Sequence, residues 1–216
     1  MMKHYIFGNE KSNSILIQMI GEHEIAGLDS EVRYISELSQ NKDFCLVAIK
    51  VDNWNDSLSP WKAPAIYGDE GFGGKAEETL NELIGFVNKE VLKERNISEV
   101  DLYIGGYSLS GLFALWSVYQ TDIFKGVAAV SASVWFPGFY DYISEKNNCT
   151  QLVYLSLGKK EEKTRNTLMA SVGNVMRDIH SLLFTKVDTI LEWNAGNHFK
   201  EPDLRMAKGF SWLLNN

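Results

Sequence analysis

From residue 100 to the C-terminus, short apolar runs alternate with segments of helical period. This alternation constrains the fold more than any other feature. "VDLYIGG" (100–106), "GVAAVSA" (126–132), "QLVYLSLG" (151–158) and "VDTILEWN" (187–194) have the length and branching of buried strands. "SGLFALWSVYQ", "GFYDYISEK", "KTRNTLMASVGNVMRDIHSLLF" and "PDLRMAKGFSWLL" lie after them with helical spacing. Strands joined through helices predict an α/β fold, with a mostly parallel central sheet flanked by helices and right-handed crossovers.

The N-terminal half fits the same architecture. "HYIFG" and "SILIQMI", separated by the polar "NEKSN", read as an antiparallel N-terminal strand pair. "GLDSEVRYISELSQ" predicts a helix capped by Asp29 or Ser30, with Val32, Ile35 and Leu38 on its apolar face. "DFCLVAIKV" is a further buried strand. Residues 52–73 read as a long loop too aromatic for an idle linker, with Trp54, Trp61 and Phe72. "KAEETLNELIGFVNKEVLKERN" then carries Leu80, Leu83, Ile84, Val87, Val91 and Leu92 along one helical stripe.

Bulk properties narrow the function. The 216 residues suit a single domain, 1–216, with no large insertion after "GVAAVSA" to form a lid. A net charge of -7, with acids and bases intermixed, offers no basic surface for nucleic acid. No segment reaches the length of a membrane span, and the N-terminus lacks the apolar stretch of a secretory leader. The two cysteines, Cys45 and Cys149, have neither metal-ligand nor CxxC spacing. A cytoplasmic protein without metal or cofactor is expected. Oligomeric state is not legible.

In parallel α/β sheets the chemistry gathers at the carboxyl ends of the strands. After "DLYI" comes Gly105-Gly106-Tyr107-Ser108, entering a helix at once. That is the setting of a nucleophile elbow, Gly-x-Ser-x-Gly, except that Ser110 stands at the second glycine and Gly111 follows one place late. A plain glycine turn with Ser108 as a helix N-cap is the competing reading of the short motif. Context favours the nucleophile. Glu161 and Glu162 follow the strand ending at Gly158, and His198, one of four histidines, follows the last strand. The chain order Ser, acid, His is that of α/β-hydrolases. Glu161 is the preferred acid, three residues past Gly158, with Glu162 still open. Asp188 and Asp203 are poorer, since neither follows the strand before the histidine strand. For the oxyanion hole, the backbone N–H of Leu109 is one expected donor, and that of Glu22, after "SILIQMI", the other.

"GGYSLSGLFAL" resembles the nucleophile region of the esterase D-like α/β-hydrolases, the group that includes enterochelin esterases and S-formylglutathione hydrolases. Tyr107 stands where those carry histidine, and Ser110 replaces the first of their paired glycines. "VSASVWFPGF" is similar to their Ser-Pro-Ser-x-Trp-Trp segment, and "GNHF" to the surroundings of their catalytic histidine. The resemblance runs from about Ser14 to the C-terminus. It implies an α/β-hydrolase fold and a metal-free Ser-His-acid esterase, and it leaves thioester hydrolysis and acyl transfer open. The expected substrate is a small-molecule ester, neither nucleic acid nor membrane lipid. Trp54, Trp61, Trp135 and Phe136, all on segments after strands, are expected to line an apolar or aromatic pocket. A catalytically silent binding protein is the reading from another class.

Overall fold

The computed structural model describes residues 2–216 apart from Tyr67 and Glu94. These two fall in the expected 52–73 loop and 75–96 helix and lie outside the described residues. The apolar runs build one seven-stranded sheet from β1 (His4–Gly8), β2 (Ser14–Ile20), β3 (Cys45–Lys50), β6 (Asp101–Tyr107), β7 (Gly126–Val130), β8 (Leu152–Gly158) and β9 (Asp188–Asn194). The order is β1-β3-β2-β6-β7-β8-β9, and every pairing except β1 with β3 is parallel. The antiparallel N-terminal strand is present, but its ladder partner is β3 rather than β2. The polar segment between β1 and β2 is therefore not a hairpin turn. It carries the chain past β3, and β2 then pairs with β3 and β6.

Residues 52–73 are more ordered than expected. They hold α2 (Trp54–Leu58) and a two-stranded antiparallel ladder of β4 (Lys62–Ala63) and β5 (Phe72–Gly73). The first long helix, α1 (Leu28–Leu38), starts earlier than its sequence suggests, with Gly27 rather than Asp29 or Ser30 at the N-cap. Its buried stripe is Leu28, Glu31 and Ile35, and Leu38 is exposed. A carboxylate thus occupies a position that hydrophobic periodicity assigns to nothing polar. The 75–96 segment forms α3 (Ala76–Phe86), which widens into a π-helical turn at Val87–Val91.

Helices cover both faces. On one, α3, α4 (Leu109–Ser117), α5 (Phe139–Ser144) and α7 (Val172–Leu183) pack over Ile15, Ile17, Val47, Ile104, Val127 and Val153. A short α6 (Thr167–Ala170) precedes α7, breaking the single helix expected there. On the other face α1 and α8 (Pro202–Leu214) cover Leu16, Leu46, Tyr103, Ala128 and Tyr154. Burial on both faces explains why these strands read as unbroken apolar runs. Among the described residues, no helix is long and apolar enough to cross a membrane.

Candidate active site

Ser108 sits between β6 and α4 with φ 60° and ψ -121°, a backbone conformation that L-residues rarely adopt. Strain of this kind persists only where the surroundings over-determine it. Two features do so here. Ser108 N–H donates to the Val130 carbonyl at 3.1 Å, and Ser133 N–H donates to the Ser108 carbonyl at 3.0 Å. Gly106 makes the turn sterically possible, since a Cβ there would collide with the Ser110 side chain and backbone. The missing second glycine also has an explanation. Ser110 is fully buried, and its hydroxyl donates to the Met19 carbonyl at 2.6 Å, fastening α4 to the end of β2. Ser108 does stand at the N-cap of α4, but its hydroxyl makes no capping bond.

That hydroxyl lies 3.0 Å from His198 Nε2. His198 Nδ1 lies 2.7 Å from Glu161 Oε2. The three residues come from the ends of β6, β8 and β9, so the strand order sets their spacing. Glu161, and not Glu162, meets the histidine. Glu162 turns outward and pairs with Arg177 at 3.1 Å.

The Glu161 carboxylate is almost fully bonded. Its Oε1 accepts from the Ser131 hydroxyl at 2.7 Å, the Gly158 N–H at 2.7 Å and Arg205 Nη1 at 2.9 Å. Burial works against its charge, but bonds from His198, Ser131 and Gly158 outweigh burial and hold the carboxyl below its ordinary value. An ionised Glu161 requires the proton on Nδ1 of His198, which leaves Nε2 free to accept from Ser108.

Arg205 is the residue of the candidate site that the sequence reading missed. It is 1% exposed and reaches from α8 under the site. Nη1 donates to Tyr107 Oη at 3.2 Å and Ser131 Oγ at 3.1 Å as well as to Glu161, while Nη2 donates to the carbonyls of Ala195 and Asn197 at 3.0 and 2.8 Å. One guanidinium therefore binds the acid, the elbow and the histidine loop together. The signal was present: Arg205 falls on the apolar stripe of α8 beside Met206, Gly209 and Leu213. Tyr107 makes a parallel contribution, its hydroxyl donating to the His198 carbonyl at 2.6 Å.

The expected oxyanion donors, Leu109 and Glu22, are each the first residue of a helical segment. An N–H at that position has no acceptor within its own helix. Two cavities flank Ser108. One, of about 300 Å³, lies toward α1 and α8 and includes Trp54 and His23. The other, of about 460 Å³, lies toward α6 and α7 and includes Trp135, Met169 and Val172. Trp61 and Phe136 line neither. Phe136 is 2% exposed, and Trp61 and Phe72 meet its ring edge-on at centroid distances of 5.7 and 5.1 Å. Trp61 also donates to the Pro137 carbonyl at 2.9 Å. These rings pack the 52–73 segment onto the body. An aromatic residue after a strand has two ways to face, and sequence alone does not distinguish them.

Sheet order and the strained serine turn belong to an α/β-hydrolase fold, and at the strand ends Ser108, His198 and Glu161 form one hydrogen-bonded line. No protein-family model and no curated protein matches the chain. Solved structures do. The siderophore hydrolase EstA from Aspergillus nidulans superposes with a TM-score of 0.73 at 15% identity, over 99% of this chain and 94% of that one. An IroE-like serine hydrolase from Shewanella oneidensis gives 0.74 at 13% identity, over 99% and 75%. FphF, a fluorophosphonate-binding serine hydrolase from Staphylococcus aureus, gives 0.61 at 12% identity, over 100% and 99%. At these identities the likeness establishes the fold.

Proposed function

We propose that the protein is a serine hydrolase that cleaves a small to medium carboxylic ester through an acyl-enzyme. The observation that carries this reading is the continuous line from Ser108 through His198 to Glu161, at 3.0 and 2.7 Å, with the serine held in a strained turn. The similar solved structures named as hydrolases agree with it.

His198 Nε2 takes the Ser108 proton as the oxygen attacks the ester carbonyl. Glu161 fixes the tautomer and stabilises the imidazolium that forms. The N–H groups of Leu109 and Glu22 are the proposed donors to the oxyanion. His198 then protonates the leaving alcohol, and water, activated the same way, releases the acid. The two cavities give the acyl and alcohol portions separate seats, with Trp54 on one side and Trp135 on the other. An open, lidless single domain acting in the cytoplasm belongs to the same proposal. The unpaired thiols of Cys45 and Cys149 suit a reducing compartment.

The test is a screen of short-chain and aryl p-nitrophenyl esters beside Ser108→Ala, with fluorophosphonate labelling of both proteins. Hydrolysis and labelling by the wild type alone are expected. A wild type that neither labels nor hydrolyses any ester would identify a silent binding protein instead. Faster turnover on adding alcohols or thiols, with ester or thioester products, would assign acyl transfer.

A further inference from the structure

The loop after β7 reaches both ends of the Ser-His-Glu line. It opens at Ser131, whose φ of 45° is a left-handed value that L-residues rarely adopt. Like the turn at Ser108, this one is held in place by its surroundings. Ser131 N–H donates to the Ser156 carbonyl at 2.8 Å, and two residues on Ser133 N–H donates to the Ser108 carbonyl at 3.0 Å. The loop so fixed sends one hydroxyl to each end of the line. Ser131 Oγ donates to Glu161 Oε1 at 2.7 Å, and Ser133 Oγ lies 3.4 Å from Ser108 Oγ.

Ser133 is 3% exposed and lines the α6–α7 cavity beside Ser108. Among the described residues, its hydroxyl has no other hydrogen-bond partner. A buried hydroxyl with one long contact gives folding little. The contact nevertheless has a fixed direction. Ser108 carries a single proton, and His198 Nε2 accepts it at 3.0 Å. Ser108 Oγ can therefore only accept from Ser133. At 3.4 Å this bond is long for two hydroxyls, and bonds that serve a reaction are often long before substrate arrives and tighten as charge develops.

Resting on the ester-hydrolase reading, we propose that Ser133 is a further catalytic residue, whose hydroxyl donates to Ser108 Oγ and stabilises the negative charge that gathers there as its proton leaves. In that step the Ser108 O–H bond breaks and the proton passes to His198 Nε2. Oγ bonds the carbonyl carbon, whose π pair moves onto the carbonyl oxygen. Ser133 keeps its own proton throughout and draws closer to Oγ. A bond that is weak to a neutral hydroxyl and charge-assisted in the transition state lowers the barrier without tightening the binding of substrate. The role is distinct from that of the oxyanion donors, which serve the carbonyl oxygen.

The test is the kinetics of labelling by a fluorophosphonate, in which Ser108 Oγ bonds phosphorus, its proton passes to His198 and fluoride leaves. The maximal labelling rate and the half-saturating concentration are measured for the wild type, Ser133→Ala and Ser133→Thr. Ser133→Ala is expected to lower the maximal rate roughly tenfold, the scale of one charge-assisted bond, and to leave the half-saturating concentration within about twofold. Ser133→Thr keeps the hydroxyl and should restore most of the rate. A Ser133→Ala protein that labels as fast as the wild type, or faster, overturns the proposal. So does a loss that Ser133→Thr does not restore, since packing rather than the hydroxyl is then at fault. A wild type that does not label removes the ester-hydrolase reading itself, and this inference with it.

Discussion

On the proposed mechanism Ser108 and His198 share one proton, so that neither works without the other. Ser108→Ala and His198→Ala are each expected to lower kcat on a p-nitrophenyl ester by roughly 10⁵- to 10⁶-fold, with the double variant no worse. Single-turnover kinetics on the three proteins check this. Glu31 and Glu161 bear on stability in opposite directions. The folded protein holds the Glu31 proton more tightly than the unfolded chain does, so its contribution falls as pH rises from the ordinary value of 4.5 toward the raised folded one. Glu161 is the reverse: its lowered folded value gives stability that is present above 4.5 and lost as pH falls through the folded value. Urea unfolding between pH 5 and pH 8 should therefore show a flatter decline in Glu31→Gln than in the wild type. The difference is at most about 1.4 kcal/mol per pH unit. An unchanged slope would mean that Glu31 is ionised in the folded protein.

At the scale of elements, the site is a junction of strand ends, and its rigidity comes from ties between them. Ser110 binds α4 to β2. Ser110→Ala leaves the Met19 carbonyl without that donor and should cost about 1–3 kcal/mol in denaturant unfolding. Arg205 ties α8 to β6, β7, β8 and the loop after β9. Replacing it by methionine strands the buried Glu161 carboxylate and should cost about 3–5 kcal/mol. The pH profile is the sharper readout, because a freed Glu161 interacts differently with the His198 imidazolium. Arg205→Met is expected to move the acidic limb of kcat/KM, whereas a merely structural loss would lower stability and leave that limb in place.

Across the whole molecule, the parallel sheet and the meeting of Ser108, Glu161 and His198 were legible in the sequence for one reason. Strand–helix alternation places strand ends on one edge, and Ser108, Glu161 and His198 each lie on the segment that follows a strand. Pairing partners were less legible. β1 joins β3 because strand neighbours depend on long-range packing, which local turn chemistry does not encode. The buried polar groups were the least legible. Arg205 and Glu31 are buried polar groups among apolar helix positions, and their partners lie on other elements, Glu161 for one and Gln18 for the other. Trp61 and Phe136 failed as pocket residues for the related reason that side-chain direction is set by tertiary contacts.

The bonds of Arg205 also bear on when the candidate site is assembled. The guanidinium that orients Glu161 and braces the histidine loop comes from the last helix. A chain still leaving the ribosome holds its nucleophile, acid and histidine before it holds their brace. On the proposed function, alignment of the three side chains therefore waits on the docking of α8, and a chain clipped before Arg205 carries them without the means to align them.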